Sequence, residues 1–417
     1  MPFGLVGKSL SHSHSVFLHE ALGDRPYSLF SLDEDQFDAF LRRRNFDGIN
    51  VTIPYKQRVI AYCDEVDETA KEIGAVNTVA NREGRLTGYN TDVDGLSYIL
   101  SSLPVKPQGH TALILGSGGT SHTAKHVLQR MGAKEILVAS RSPGPGRISY
   151  KEASHRKEIE LVINTTPYGM YPNNGEAPLL LAPFPNLHAV VDVVYNPLKT
   201  ALLLDAERLH LPFVGGLGML VEQARVSSQL FLGRPQPPER TPRLVTELGG
   251  RLINIVLIGM PGCGKSSLGQ ALAKHLARPF LDLDHLVAKK AGSPPGKIIE
   301  TQGEAAFRAL ETQAARQAGR ENNAVIATGG GIVLREENID ALRQNGVVIF
   351  VDCPVHKLPI GEGRPLSKTR DDLQKLDEQR REKYMTAADR ILVYHERFEE
   401  NLKNLETLAE ELLVSYR

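Results

Sequence analysis

Short apolar runs rich in β-branched residues alternate with amphipathic stretches along nearly the whole chain. FDGINVTI, TALILGSG, KEILVAS, LVINTT and HAVVDVVY are followed further on by INIVLIG, AVIATGGG and GVVIFVD. Strands that alternate with helical periodicity pack as βαβ units, so the pattern predicts an α/β protein with mostly parallel sheets. It breaks most strongly over residues 232–251, LGRPQPPERTPRLVTELGGR, where four prolines and several charges precede a fresh apolar strand. A linker is expected there. A softer break at SSLPVKPQGH, residues 101–110, divides the first half again. The expected domains are 1–103, 104–231 and 252–417, with the last helix of the second returning to the first.

A chain of 417 residues exceeds the size at which one core stops growing, in keeping with that division. The 49 basic side chains balance 49 acidic ones and form no long basic run, so neither nucleic acid nor a membrane surface is expected as a partner. Cys63, Cys263 and Cys353 are far apart and odd in number, fitting neither a disulfide framework nor a zinc site. There is no charged leader before an apolar segment and no apolar run of about 18 residues, so a cytoplasmic protein is expected. Composition leaves the oligomeric state open.

The strand TALIL runs into Gly116, Gly118 and Gly119, and a helical pattern follows as far as Gly132. A glycine turn between strand and helix lets backbone N–H groups and the helix dipole meet a pyrophosphate, although such turns also occur in α/β proteins that bind no nucleotide. The next strand ends on Ser140, Arg141 and Ser142, where an NAD site usually places an acid. An arginine there favours the 2′-phosphate of NADP, and is otherwise an ordinary solvated residue. Ahead of this loop lie three polar constellations: Ser13 and Ser15; Asn50, Thr52 and Lys56; Asn77, Thr91 and Asp92. They suit a polyhydroxylated acid, and a lysine beside a carboxylate can move a proton at a carbinol oxygen while a hydride moves at the adjacent carbon. Each segment also reads as plain turn chemistry.

A second glycine loop, GMPGCGKSS at 259–267, satisfies G-x-x-x-x-G-K-[ST] between a strand and a helix. Gly259, Gly262, Cys263, Gly264, Lys265, Ser266 and Ser267 are the expected ATP cradle, with Lys265 on the β and γ oxygens and Ser266 on Mg²⁺. Downstream come Asp282 and Asp284, Arg308, the triplet Gly329, Gly330 and Gly331, Arg364, and Arg380 four residues before Tyr384. Arginines can fork onto a carboxylate, a carboxylate can accept a hydroxyl proton, and a loop arginine can neutralise a moving phosphoryl group. Helix arginines are also commonly just solvated.

HSHS, GINVTIPYK, GAVNTV, GYNTDVDG, GSGG, INTTPYGM, VVYNP and GGLGMLVEQA, in order across residues 1–231, resemble shikimate dehydrogenase. The resemblance implies NADP-dependent interconversion of 3-dehydroshikimate and shikimate on a substrate domain joined to a Rossmann-like domain. It makes Lys56 and Asp92 the catalytic pair and Ser13, Ser15, Thr52, Asn77, Asp92, Tyr195 and Gln223 substrate contacts. Gly116, Gly118, Gly119, Ser140, Arg141, Ser142, Val193 and Gly216 fall on the NADP(H) positions. This chain has SRS where the family often has Asn-Arg-Thr, followed by a short proline-rich loop. Quinate, which differs from shikimate by water across the ring double bond, stays open as a further substrate.

Residues 253–395 resemble shikimate kinase, a P-loop α/β fold of the nucleoside-monophosphate-kinase type. On that resemblance Asp284, Arg308 and Arg380 grip shikimate, Gly329 to Gly331 line its site, and Ser266 and Asp282 serve Mg²⁺. Lys265 and a lid arginine, Arg364, act on the transferred phosphoryl group. VDCPVHKLPIGEGRPLS is shorter than the family's lid segment, and AKKAGSPPGKIIE carries an unusual proline pair. The expectation is a bifunctional enzyme whose first half makes the acceptor of its second. The alternatives are a regulatory P-loop module, or a kinase for another small polyol acid such as gluconate.

Overall fold

The computed structural model describes residues 2–10, 13–360 and 369–414. It divides into two compact units: Met1–Gly169 with Glu176–Tyr195 and Asp205–Val245, and Met170–Gly175 with Asn196–Leu204 and Thr246–Arg417. No helix among the described residues is long and apolar enough to cross a membrane. All three cysteines are free.

The first unit holds two sheets. One contains β1 (Phe3–Gly7), β2 (Tyr27–Ser31), β3 (Gly48–Val51), β4 (Glu65–Val66), β5 (Thr78–Arg82) and β6 (Arg85–Tyr89), in the order β2-β1-β3-β5-β6-β4. It is mixed: β5 runs antiparallel to both β3 and β6. Glu83 and Gly84 close the β5–β6 hairpin at φ 54° and 86°, the left-handed pair that matches the twist of the strands they join. The other sheet contains β7 (Thr111–Leu115), β8 (Glu135–Ala139), β9 (Leu161–Asn164), β10 (Ala189–Asp192) and β11 (Phe213–Val214). Its order is β11-β10-β9-β7-β8 and all its pairings are parallel, as in a Rossmann-like domain.

The helix Leu217–Leu232 follows this second sheet in sequence and packs beside the first. Near its end the fully buried Phe231 ring stacks on Phe3, 5.5 Å between centroids. Glycines let the helix bed down. A Cβ on Gly95 would lie 2.5 Å from the Met219 carbonyl oxygen, and one on Gly48 would lie 2.3 Å from the Phe231 ring.

The second unit carries one parallel sheet: β12 (Asn254–Ile258), β13 (Phe280–Asp282), β14 (Val325–Ala327), β15 (Gly346–Asp352) and β16 (Arg390–Val393). The order is β13-β14-β12-β15-β16, which puts β12 at the centre, and every one of its residues is buried. Strands buried on both faces read as continuous apolar runs, which is why INIVLI and VVIFV are legible in the sequence.

One expectation is corrected. The proline-rich stretch at 232–251 is not an irregular linker throughout: Arg240–Leu252 is a helix burying Leu244, Leu248 and Leu252. Pro242 falls in its first turn, where backbone N–H groups have no intrahelical partner to lose. The unusual proline pair at 294–295 starts a helix, Pro295–Gln302.

Phe231 ties the long helix to the first sheet, so Phe231→Ala is expected to cost about 3–5 kcal/mol through lost burial and a residual cavity. Denaturant unfolding followed by circular dichroism measures this, and a cost below about 1 kcal/mol would contradict the packing described.

Candidate functional site

In the first unit, Lys56 follows β3 on a loop and Asp92 opens the helix Asp92–Ser102. Lys56 Nζ donates to Asp92 Oδ2 at 2.6 Å, with the two side chains 26% and 12% exposed. The other Asp92 oxygen accepts from Asn77 Nδ2 at 2.9 Å, and Asn77 Oδ1 accepts from the Thr91 backbone N–H at 2.8 Å. The carboxylate is therefore aimed from two sides.

Behind it runs a buried polar chain that sequence reasoning missed in part. Ser227 Oγ lies 3.0 Å from Thr91 Oγ1 and 2.8 Å from Thr78 Oγ1, and accepts from Asn50 Nδ2 at 2.9 Å. Tyr27 donates its hydroxyl to Asn50 Oδ1 at 2.8 Å and stacks on His19, 4.2 Å between centroids. His19 Nδ1 lies 2.6 Å from Asp24 Oδ2, and burial pushes the imidazole below its ordinary pKa against the opposing pull of Asp24. Asn50 and Thr91 belong to the predicted constellations. Thr78 lies within the quoted GAVNTV without being singled out, and Tyr27 and Ser227 carried no local signal, Ser227 being 177 residues from Asn50.

Among the other expected contacts, Ser13 Oγ accepts from the Ser15 backbone N–H at 3.2 Å. His14, between them, meets Tyr195 edge-on at 6.2 Å, which brings HSHS to VVYNP. Thr52 is half-buried, its N–H on the Val6 carbonyl at 2.9 Å. Gln223 sits one turn before Ser227 on the same helix and donates to the Leu220 carbonyl at 2.8 Å.

At the first glycine loop Gly116 takes φ 105°, and Gly118 precedes the helix Gly119–Arg130. A Cβ on Gly118 or Gly119 would meet nothing within 4 Å, so open space lies over the helix N-terminus. Ser117 Oγ and Ser140 Oγ are 3.0 Å apart, and the Ser142 N–H donates to Ser140 Oγ at 3.2 Å. Arg141 between them is exposed. Gly216 backs directly onto the Val193 carbonyl. These features suit a dinucleotide whose pyrophosphate rests on backbone N–H groups.

In the second unit the P-loop joins β12 to the helix Lys265–His275, with Gly259, Gly262 and Gly264 at φ 146°, 84° and 90°. Lys265 is buried and folds back across the loop, donating to the Gly259 and Met260 carbonyls at 2.9 Å each. Cys263 lies beneath it, its Sγ 3.6 Å from Lys265 Nζ, while Ser267 is exposed. Ser266 donates to Asp282 Oδ2 at 2.6 Å, and the other Asp282 oxygen caps the next helix through the Asp284 N–H at 3.0 Å. A hydroxyl and a carboxylate in contact at a P-loop are hard oxygen donors of the kind Mg²⁺ takes.

Beside the P-loop a charged cluster closes on the glycine triplet. Arg308 NH1 donates to Glu311 Oε2 at 2.9 Å and NH2 to Glu304 Oε1 at 2.8 Å. Arg380 NH1 donates to the Gly330 carbonyl at 2.9 Å, which the Tyr384 hydroxyl also reaches. Cβ atoms on the triplet would meet Asp284 Oδ1 at 2.9 Å from Gly329, the Pro261 ring at 2.6 Å from Gly330, and the Arg308 guanidinium at 2.1 Å from Gly331. Only glycines fit between these groups. Burial, and next the neighbouring Asp282, push the Asp284 carboxyl above its ordinary range; burial does the same to Glu311. Glu311 Oε1 and Arg380 Nε have no hydrogen-bond partner among the described residues, so the cluster keeps unused polar capacity. Glu304 and Glu311 are the residues missed here, although their spacing from Arg308 at i−4 and i+3 is that of helix ion pairs. Arg364 lies outside the described residues.

The shikimate dehydrogenase (NADP(+)) of Bacillus subtilis is 36% identical over 273 residues, covering 60% of this chain and 98% of the relative. The chain belongs to the shikimate dehydrogenase family. The family's substrate-binding-domain model matches residues 5–79, and a shikimate kinase model matches residues 261–413. The crystal structure of shikimate dehydrogenase 1 from Peptoclostridium difficile superposes with a TM-score of 0.55 at 35% identity, covering 60% of this chain and 98% of that one. The Thermus thermophilus shikimate 5-dehydrogenase in complex with NADP(H) and shikimate matches at 0.54 and 31%, covering 59% and 99%. The chain is thus a fusion: a shikimate dehydrogenase part followed by a shikimate kinase domain, an oxidoreductase and a kinase in one polypeptide.

Ser227→Ala would strip the hub from three buried polar partners. It is expected to cost about 1–3 kcal/mol of stability and to lower the dehydrogenase kcat more than it raises KM. Thermal unfolding with steady-state kinetics measures both, and unchanged values of each would sink the hub. For Asp284 the raised folded-state pKa means that the ionised carboxylate opposes folding at neutral pH, and that this penalty fades as pH falls through the folded pKa. Asp284→Asn is therefore expected to stabilise the chain at neutral pH, with the gain vanishing towards pH ~4, where the unfolded carboxyl also protonates. Denaturant melts across that range report it, and a gain that grew on acidification would reverse the sign argued here.

Proposed function

We propose that the dehydrogenase part reduces 3-dehydroshikimate to shikimate with NADPH, and that the kinase domain phosphorylates the 3-hydroxyl of that shikimate with ATP and Mg²⁺. The observation that supports this best is that one chain carries both the Lys56–Asp92 contact and a P-loop flanked by Asp284, Arg308 and Arg380. The product of one is the acceptor of the other.

In the first step Lys56 protonates the substrate carbonyl oxygen as it becomes a hydroxyl, while Asp92, held by Asn77, receives the ring hydroxyls and steadies the ammonium group. Ser13, Ser15, Thr52, Tyr195 and Gln223 complete the binding of the acid and its hydroxyls. Gly116, Gly118, Gly119 and Gly216 leave room for the dinucleotide beside Val193, and Arg141 with Ser140 and Ser142 favours the 2′-phosphate of NADP over a free ribose hydroxyl. NADPH, when bound, supplies the hydride.

In the second step Arg308 and Arg380 hold the shikimate carboxylate, and Asp284 takes the proton of the attacking hydroxyl. A carboxyl held above its usual range is the better base for that task. Lys265 would exchange the loop carbonyls for the β and γ phosphate oxygens, Ser266 and Asp282 would hold Mg²⁺, and Arg364 would neutralise the moving phosphoryl group. The free thiols agree with a cytoplasmic location.

A single assay with 3-dehydroshikimate, NADPH and Mg-ATP should show NADPH consumption followed by ADP release. Lys56→Ala should lower NADPH turnover by about 10²–10⁴ while leaving ADP release from added shikimate intact. Arg308→Ala should do the converse, raising KM for shikimate about tenfold or more in the kinase assay alone. ADP release that is indifferent to shikimate would remove the kinase reading.

A further inference from the structure

Away from both glycine loops, three side chains with metal-ligating atoms come together that neither reaction uses. His110, Glu160 and His188 each immediately precede a strand, and the strands β7, β9 and β10 are adjacent and parallel. Their ligand atoms all lie within 4.8 Å of one another. The Gly116 turn leaves the opposite, C-terminal end of β7, so this row is on the far edge of the sheet from the dinucleotide positions.

The backbone holds the row in place. The His188 N–H donates to the Glu160 carbonyl at 2.8 Å and the Glu160 N–H to the Thr111 carbonyl at 3.0 Å, so strand pairing extends one residue back to the cluster. The side chains are also prepared. His110 Nδ1 lies 3.0 Å from the Gln108 carbonyl, which can only accept, so Nδ1 carries the proton and Nε2 offers a lone pair. Glu160 Oε2 accepts from the Thr111 N–H at 2.8 Å, fixing the carboxylate and leaving its second oxygen as a ligand. The two imidazole rings stand edge to face, 5.5 Å between centroids. Tetrahedral zinc bound at 2.0–2.1 Å sets its ligands about 3.4 Å apart, a contraction that side-chain torsions at the half-buried His110 and exposed His188 can supply.

We propose that His110, Glu160 and His188 form a binding site for a borderline divalent transition ion, Zn²⁺ above all, which clasps the starts of three strands of the dinucleotide-binding sheet. Two imidazoles and one carboxylate favour such an ion over Mg²⁺, which prefers oxygen donors and retained water. Three protein ligands leave the remaining coordination to water. The ion binds only the folded arrangement, so it adds to stability by mass action.

The test uses the full chain, stripped with chelator and held in excess Mg²⁺ to occupy the P-loop, with Zn²⁺ added in a calorimeter. His188→Asn is the first variant because that residue is exposed and its loss leaves the fold intact; His110→Asn is the second. Wild type should bind one more equivalent of Zn²⁺ than His188→Asn, or bind it at least about tenfold more tightly. Zn²⁺ should also raise the melting temperature of wild type alone. With Co²⁺ the visible bands of a low-coordinate site should appear in wild type and not in either variant. Equal Zn²⁺ stoichiometry and affinity in wild type and His188→Asn, or no Zn²⁺ binding by either, would overturn the proposal.

Discussion

Charge taken out of water must be answered by opposite charge or by hydrogen bonds, and both units are arranged around that requirement. Lys56 and Asp92 answer each other, and Asn77 fills the remaining side of the carboxylate. Arg308 is answered by Glu304 and Glu311, and Lys265 by two carbonyls of its own loop. Only the Lys56–Asp92 pair joins separate elements; the Arg308 partners lie on its own helix and the Lys265 partners on its own loop. At Glu311 Oε1 and Arg380 Nε the answers are incomplete, and both atoms are buried without a hydrogen-bond partner among the described residues.

On the proposed function, the two units meet phosphate alike and the acceptor differently. Both follow a fully buried strand with a glycine at positive φ and begin a helix within a few residues, the arrangement that presents backbone N–H groups to a phosphate. The dehydrogenase part surrounds its reactive pair with hydroxyls and amides that match a polyol. The kinase domain uses two arginines and buried carboxylates instead. On the proposed function the first site gives a proton to a carbonyl oxygen and the second takes one from a hydroxyl, which calls for different surroundings.

Fold and site were unequally legible in the sequence. Runs such as TALIL and INIVLI declared their strands because both faces are buried, and the P-loop declared itself because its spacing is dictated by the phosphate it holds. The β5–β6 hairpin escaped notice because Glu83 takes a left-handed conformation that composition does not announce. The prolines at 232–251 misled because position within a helix, rather than number, decides whether a proline breaks it. Lys56 and Asp92 were found as members of local constellations. Ser227 was not, because each of its partners is more than a hundred residues away and nothing in QARVSSQ distinguishes a hub from a surface serine.

The glycine contacts along Leu217–Leu232 limit how that helix can move. At one end its backbone lies against Gly95 and at the other its last aromatic ring lies against Gly48, each too closely for a methyl group to intervene. Sliding along its own axis or rising from its bed would open gaps at both places at once. Rotation about the axis would swing the Phe231 ring out of its seat against Gly48 and carry Ser227 away from Thr78 and Thr91. The helix is therefore a keyed fitting with one setting, and that setting fixes where Ser227 meets Thr91 next to Asp92.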